Sequence, residues 1–428
     1  MTSTLPAAVA IMLGKITAIS AKRAYDLRVS TTPAVSADPL RELNRQRVLE
    51  QLSRSGALTQ SELGRTTGLS RTTISSILTE LRDGGLVEDV RAEDPGRRGR
   101  GRPATLVTLA PPPGYAAAVD FGQRHVRVAV AALAPRVLAE RVEPFDTPRS
   151  GRDALDEAAA LLARVIPEAG LEREQLSRVV LGVPGPLDPA TGNLLSGVIL
   201  PGWTRIDPAV ELQRRIGIPV TAENDANLGA LGEAAFGAAK GLGDVVYVKV
   251  ATGIGAGLVL GGRLHRGTSG IAGEIGHVQV RTDGLPCRCG STGCLEAVVR
   301  VPQLLADLTP PGGPALTLPR LLERVRAGEP TAVAAMRSAG REIGRVVAPL
   351  CNALNPAAVV MGGLLGPVGQ PLLDGVRESI DEHAQQGAAE AVTVLAGTLG
   401  DRAEVLGALA LAAQEAGHRI GPSALAAP

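Results

Sequence analysis

The sequence, 428 residues long, predicts an α/β body of about 300 residues preceded by a small, mostly helical domain that ends in a two-stranded hairpin. Three observations predict it. Between Leu40 and Leu109, apolar residues recur first at helical spacing and then in two strand-like runs. Pro111-Pro112-Pro113 follows as a stiff linker. Beyond it, strand-like and helical runs take turns to the end of the chain, as strands joined by helical crossovers do.

Residues 1–37 show no clear period and read as a disordered arm or an over-extended start, with Met12 and Val29 as alternative beginnings. Leu40, Leu43, Val48, Leu49 and Leu52 then mark a first helix that Gly56 ends. Thr59 and Glu62 form a capping box opening a short second helix, Ser61 to Thr66, which carries Leu63. Gly68 and Leu69 make a turn, and Ser70 caps a third helix with Ile74, Ile77, Leu78 and Leu81 inward. Gly84 and Gly85 stop it. Leu86, Val87 and Val90 read as a strand, with Leu106, Val107 and Leu109 as its return.

In the body, strands are expected at Ala116–Phe121, Val126–Ala132, Val179–Val183, Pro219–Ala222, Val245–Ala251, Gly257–Leu260, Ala358–Met361 and Val392–Leu395. Helices are expected at Ala154–Ile166, Leu228–Phe236, Thr331–Leu354 and Ala403–Glu415, the last opened by a capping box from Asp401 to Glu404. The expected division is an arm at 1–37, a small domain at 38–110, a body at 111–418 and a flexible tail at 419–428.

Composition removes several function classes. Hydrophobic residues make up 45% and charged residues 20%, which is ordinary for a globular chain and outside the disordered range. No apolar stretch reaches about 18 residues, so no membrane span is expected, and a cytoplasmic location is. Four cysteines, three of them between Cys287 and Cys294, make no secreted disulfide framework. A net charge of +1 gives no global pull toward nucleic acid, so DNA binding needs a local patch. One tryptophan, three tyrosines and three phenylalanines are too few for a base-stacking single-strand binder.

Such a patch exists. Three short helices, a glycine turn before the third and a hairpin describe a winged helix-turn-helix. Burying the apolar face of the third helix leaves Arg71, Thr72, Thr73, Ser75 and Ser76 outward beside the cap Ser70. Arg71 has the fork that reads guanine, and the hydroxyls suit phosphates. Arg97, Arg98, Arg100 and Arg102 decorate the glycine-rich hairpin tip, where they can follow phosphates or enter a narrow minor groove. The alternative is a small protein-interaction domain with a solvated arginine loop, consistent with twelve arginines against ten carboxylates over residues 38–108.

Cys287-Arg-Cys289-Gly-Ser-Thr-Gly-Cys294 brings three thiolates within eight residues, and His277 lies ten positions upstream to complete a tetrahedral set. Four protein ligands leave no open position for a catalytic water, so the zinc site would be structural. An adventitious or redox-active cluster is the other reading.

Val119-Asp-Phe-Gly122, Gly182-Val-Pro-Gly-Pro186, Glu223-Asn-Asp-Ala-Asn227, Thr252-Gly-Ile-Gly-Ala-Gly257, Gly273-Glu-Ile-Gly-His277, Cys294-Leu-Glu296 and Asn355-Pro356 leading to Gly362-Gly363 occur in this order. Together they make the chain resemble the ROK family (repressors, open reading frames and sugar kinases) over nearly all of Leu40 to Ala413. The resemblance implies a two-lobed actin/hexokinase-like (ribonuclease H-like) body behind the winged domain. Lobe one would take about 114–223 plus a C-terminal helix at 401–416, and lobe two about 224–400. It implies zinc held by His277, Cys287, Cys289 and Cys294, and a sugar held by Asn224, Asp225, Glu274, His277 and Glu296, with His277 touching both. In kinase members the position of Asp225 is also the catalytic base. Read from the residues alone, Asn224 or Asp225 is equally a helix N-cap, and both roles can coexist.

Under a kinase reading, Asp120, Gly122, Thr252, Gly253, Gly255, Gly362 and Gly363 would serve ATP and magnesium. The chain departs from the family pattern there. Gln123 stands where a bare glycine is expected, and the run Gln123-Arg124-His125 carries no Thr or Lys. The departure predicts lost or vestigial ATP turnover with the sugar cleft retained. The expected function is a sugar-responsive DNA-binding regulator, a repressor acting on an operator as a homodimer or homotetramer. The rivals are an ATP-dependent sugar kinase with a DNA-binding arm and a zinc-stabilised interaction protein.

Overall fold

A computed structural model describes residues 39–83, 86–91, 105–109, 114–133, 136–195 and 199–416. The arm, Gly84-Gly85, the arginines of the hairpin tip, the proline linker and the tail expected from sequence lie outside these residues.

The N-terminal part runs α1 (Pro39–Ser55), α2 (Gln60–Thr67), α3 (Arg71–Asp83), β1 (Val87–Arg91) and β2 (Thr105–Leu109). Its core is Val48, Leu52, Leu63, Ile74, Ile77, Leu78, Leu81, Val87 and Val107, which includes the four residues of α3 expected inward. β1 and β2 pair antiparallel. A bridge the sequence reading missed pairs Leu58 with Val107 through two backbone hydrogen bonds of 2.8 and 3.0 Å, tying the turn before α2 to the hairpin.

The body contains two five-stranded sheets. The first is built from β3 (Tyr115–Phe121), β4 (His125–Ala132), β5 (Val137–Pro144), then α4 (Gly151–Glu168), β6 (Leu176–Val183), α5 (Pro208–Ile216) and β7 (Val220–Asn224), in the order β5-β4-β3-β6-β7. α6 (Asp225–Phe236) leads to the second sheet: β8 (Val245–Val250), β9 (Ile254–Leu260) and β10 (Arg263–Leu264). Next come the helices α7 (Leu295–Val299), α8 (Val301–Asp307), α9 (Leu318–Arg326) and α10 (Pro330–Leu354). The chain finishes with β11 (Ala358–Gly363), α11 (Gln370–His383), α12 (Gln386–Ala391), β12 (Thr393–Ala396) and α13 (Ala403–Glu415). The second sheet runs β10-β9-β8-β11-β12. In each sheet three strands are antiparallel and the last two join in parallel, so one topology occurs twice.

Burial on both faces explains the apolar strands. Ala117, Val119 and Phe121 of β3 join α4 in one core, while Ala116 and Ala118 face α13 in another. α6 and α13 share this second core with Tyr247 and Val360 of the other sheet, so the two helices are sandwiched between the sheets. Two glycines let them cross closely: a Cβ on Gly407 would strike the Leu228 carbonyl, and one on Gly232 the Ala403 carbonyl. A third core joins α10 and α11 to the far face of the second sheet.

Two sequence expectations are corrected. No capping box joins Asp401 to Glu404, because Gly400–Arg402 is a 3-10 turn that runs into α13. Tertiary ion pairs claim both carboxylates instead: Asp401 accepts from Arg127 at 2.6 Å and Glu404 from Lys249 at 2.7 Å. β9 begins at Ile254, three residues before the expected start at Gly257, and so takes in Gly255. α6 starts at Asp225, three residues before the apolar run at Leu228, which is where the reading of Asn224 as an N-cap puts it. β5, β10, α5, α7–α9, α11 and α12 were not assigned from sequence. Half-buried, charge-bearing β5 shows why: its apolar alternation is weak.

Candidate functional site

At the start of α3, the Ser70 hydroxyl accepts from the Thr73 amide at 3.1 Å, so the predicted cap is present. The same hydroxyl lies 2.9 Å from Thr72 Oγ1 and 2.8 Å from Thr73 Oγ1. Thr59 and Glu62 form the predicted capping box of α2, and Gly68 makes the turn at φ 72°. Arg71, Thr72, Ser75 and Ser76 are exposed and Thr73 half-buried, all at the amino-terminal half of the helix. Arg82 donates to Asp89 at 2.7 Å and braces α3 against β1. The four hairpin arginines fall outside the described residues.

His277, Cys287, Cys289 and Cys294 offer donor atoms that all lie within 4.8 Å of one another. Cys287 Sγ is 3.5 Å from His277 Nδ1, and Cys289 Sγ is 3.7 Å from Cys294 Sγ. A tetrahedral zinc with Zn–S of about 2.3 Å and Zn–N of about 2.0 Å requires donor separations of roughly 3.5–3.8 Å. The donor set therefore fits zinc. His277 turns Nδ1 to the sulfurs and Nε2 toward Glu274, 3.7 Å from its Oε2.

His277 and Glu274 line a cavity of about 510 Å³ at the carboxyl ends of β3, β6 and β7 on one side and β8 and β11 on the other. Asn224, Asp225 and Glu296 line it as well, so all five sugar-contact candidates converge. Asn224 Oδ1 accepts from the Asn227 amide at 3.1 Å and caps α6. Asp225 Oδ1 takes the Ala226 amide at 2.8 Å, and its Oδ2 takes Lys249 Nζ at 2.8 Å. Glu296 is buried; Ile254 donates its amide to Oε2 at 3.0 Å and Arg288 its Nε to Oε1 at 2.6 Å. Burial, with Asp225 and Glu296 adding repulsion, pushes the Glu274 carboxyl up to about 7.

The nucleotide-reading candidates meet the same space. Asp120, Gly122, Thr252, Gly253, Gly255 and Gly363 line the cavity, whereas Gly362 packs under the Tyr247 ring. Their surroundings supply packing reasons for glycine. A Cβ on Gly122 would fall on the His125 imidazole, which also lies 3.3 Å from Asp120 Oδ2. A Cβ on Gly253 would strike Glu296 Oε2 at 2.5 Å, with Arg288 3.3 Å away. On Gly255 it would press on Ala226 at 3.3 Å, and Gly363 turns at φ 70° against Val250.

The sequence reading missed Lys249, Arg288 and His125. Lys249 carried a signal, a lone charge in the apolar run of β8. Burial alone would depress its ammonium, but Asp225, Glu404 and Asp120 outweigh burial and hold its pKa well above the ordinary lysine value. Arg288 sits between two cysteines, where the donor spacing drew attention away from it.

Comparison with known proteins agrees with this architecture. The MarR family matches residues 44–98, and the ROK family matches residues 116–415. The xylose repressor of Bacillus subtilis is 25% identical over 372 residues, covering 86% of this chain and 94% of that protein. A solved ROK family transcriptional regulator, homologous to the Escherichia coli Mlc protein, superposes with a TM-score of 0.70 at 23% identity. It covers 88% of this chain and 96% of that one, and shows the shared fold. The ROK hexokinase of Thermus thermophilus gives 0.61 at 32% identity, covering 71% of this chain and 99% of that one. With the match running through nearly every strand and helix of the body, this chain belongs to the ROK family.

Proposed function

We propose that this chain is a sugar-responsive transcriptional repressor that binds an operator through its winged domain and a sugar in its cleft. One observation carries the reading. A single chain joins a helix-turn-helix, its third helix opening on exposed Arg71 and Thr72, to a cavity where Asn224, Asp225, Glu274, His277 and Glu296 converge beside a crowded Gly122. The repressor and hexokinase likenesses bear on the two halves of that statement.

Carboxylates, an amide and an imidazole bind the paired hydroxyls of a sugar ring. Asn224 keeps its Nδ2 available after Oδ1 has capped α6. Zinc, held by His277, Cys287, Cys289 and Cys294, would supply a fixed charge that sets the imidazole tautomer and orientation. His277 Nε2 then faces Glu274 and the sugar. Asp225 is ion-paired to Lys249 and orients a hydroxyl without taking its proton. Sugar binding favours one arrangement of the two sheets around α6 and α13, and a dimer or tetramer passes this to the spacing of paired DNA readers.

The test is operator binding. DNA selected from random sequence by the purified chain is titrated with and without millimolar sugars. The expected result is a change of at least about tenfold in Kd for one sugar class, in either direction. No change with any sugar overturns the proposal. The kinase reading is checked in parallel, since turnover with ATP, magnesium and hexoses above about 1 per second would establish an enzyme.

A further inference from the structure

We propose that Lys249 determines the ligand class of the cleft: its ammonium is a built-in counter-ion that holds the cavity for a neutral sugar and keeps out a divalent cation with its phosphate ligand. The proposal rests on the reading of the cavity as a sugar site.

Asp120, from β3, and Asp225, at the start of α6, line the cavity with Glu404 of α13. Convergent carboxylates at the mouth of a cleft are what a hard divalent cation uses, with one or two protein oxygens and the remaining positions left to water and phosphate. In this chain the cation is already present as a side chain. Lys249 Nζ lies 2.8 Å from Asp225 Oδ2 and 2.7 Å from Glu404 Oε1, with Asp120 close enough to act on it electrostatically. The third carboxylate has its own basic neighbour, His125, whose ring also covers Gly122.

The choice of residue fits. The chain has only four lysines, at 15, 22, 240 and 249, against forty arginines. A compact ammonium on an unbranched stem rises from the strand between two carboxylates, whereas the planar guanidinium fork demands a wider slot. Lys249 is four-fifths buried, with side-chain exposure of 18%, and a buried ammonium with two carboxylate partners is a fixed charge. A divalent ion entering here would have to displace it or sit beside it against like-charge repulsion.

The experiment uses the zinc-loaded full chain and Mn2+ as the probe, read by the electron paramagnetic resonance signal of the free ion. Wild type is expected to leave that signal unchanged. Lys249→Met is expected to bind one Mn2+ per chain at least about tenfold more tightly than wild type. Lys249→Arg, which keeps the charge, should bind none, and Lys249→Met/Asp225→Asn should lose what Lys249→Met gained. Should Lys249→Met fail to fold because its carboxylates are uncompensated, Lys249→Met/Glu404→Gln removes one charge and takes its place. Tight Mn2+ binding by wild type, or a folded methionine variant that binds no more than wild type, overturns the proposal. Failure is separable from failure of the functional reading, which is decided by operator titration with sugars and not by Mn2+.

Discussion

Asn224 stands at once at a helix start and on the wall of the cavity. Its Oδ1 caps α6, as the cap reading expects, and the residue lines the cavity, where the proposed function assigns its amide nitrogen to the sugar. Asn224→Ala should lower stability by about 1 kcal/mol through the lost cap, read by denaturant unfolding, and weaken sugar binding as well. Asn224→Ser keeps the cap and loses the amide; calorimetry should show weaker sugar binding at unchanged stability. Arg71 makes the corresponding case on the DNA side. Arg71→Ala should reduce discrimination at one base position by about 1–3 kcal/mol in competition binding, leaving other positions alone.

At the scale of elements, the crossing of α6 and α13 depends on missing side chains. Gly407→Ala and Gly232→Ala each drive a methyl into a backbone carbonyl of the opposing helix, and should destabilise the chain by about 1–3 kcal/mol in urea unfolding. On the proposed function, the loop from Gly273 to Cys294 is held instead by zinc on its four donors. Chelation of zinc, or Cys289→Ser, should lower both the melting temperature and the sugar affinity, because His277 belongs to the donor cluster and to the cavity. Sugar affinity that survives metal removal would sever that link. For the wing, replacing Arg98 or Arg100 should weaken binding to all DNA sequences and reduce the salt slope by about one each.

In the body as a whole, the repeated sheet topology places a cavity where the carboxyl ends of both sheets meet, with α6 and α13 between the sheets. Residues from positions 120 to 404 reach that space, among them Asp120, Asn224, Lys249 and Gly363 near strand ends, Asp225 and Glu404 at helix starts, and Arg288 from the loop before α7. Helices with long apolar stripes and strands buried on both faces were readable because their periodicity spans many residues. β5 and the helices between β10 and α10 were not. They carry short or half-exposed patterns that tertiary contacts complete.

Spacing along the chain was enough to read the apolar faces of the N-terminal helices and to single out His277, Cys287, Cys289 and Cys294, while the family resemblance pointed to the five residues that the fold brings to the cavity. Each is set by spacing along the chain or by a motif that keeps its residues together. The pairing of the charges, by contrast, follows from the folded chain. Lys249 meets Glu404 across 155 positions of sequence, Asp401 meets Arg127 across 274, and Arg288 turns onto Glu296. No local rule pairs such residues, because burial and distance select the partners only once the two sheets have closed on the helices between them.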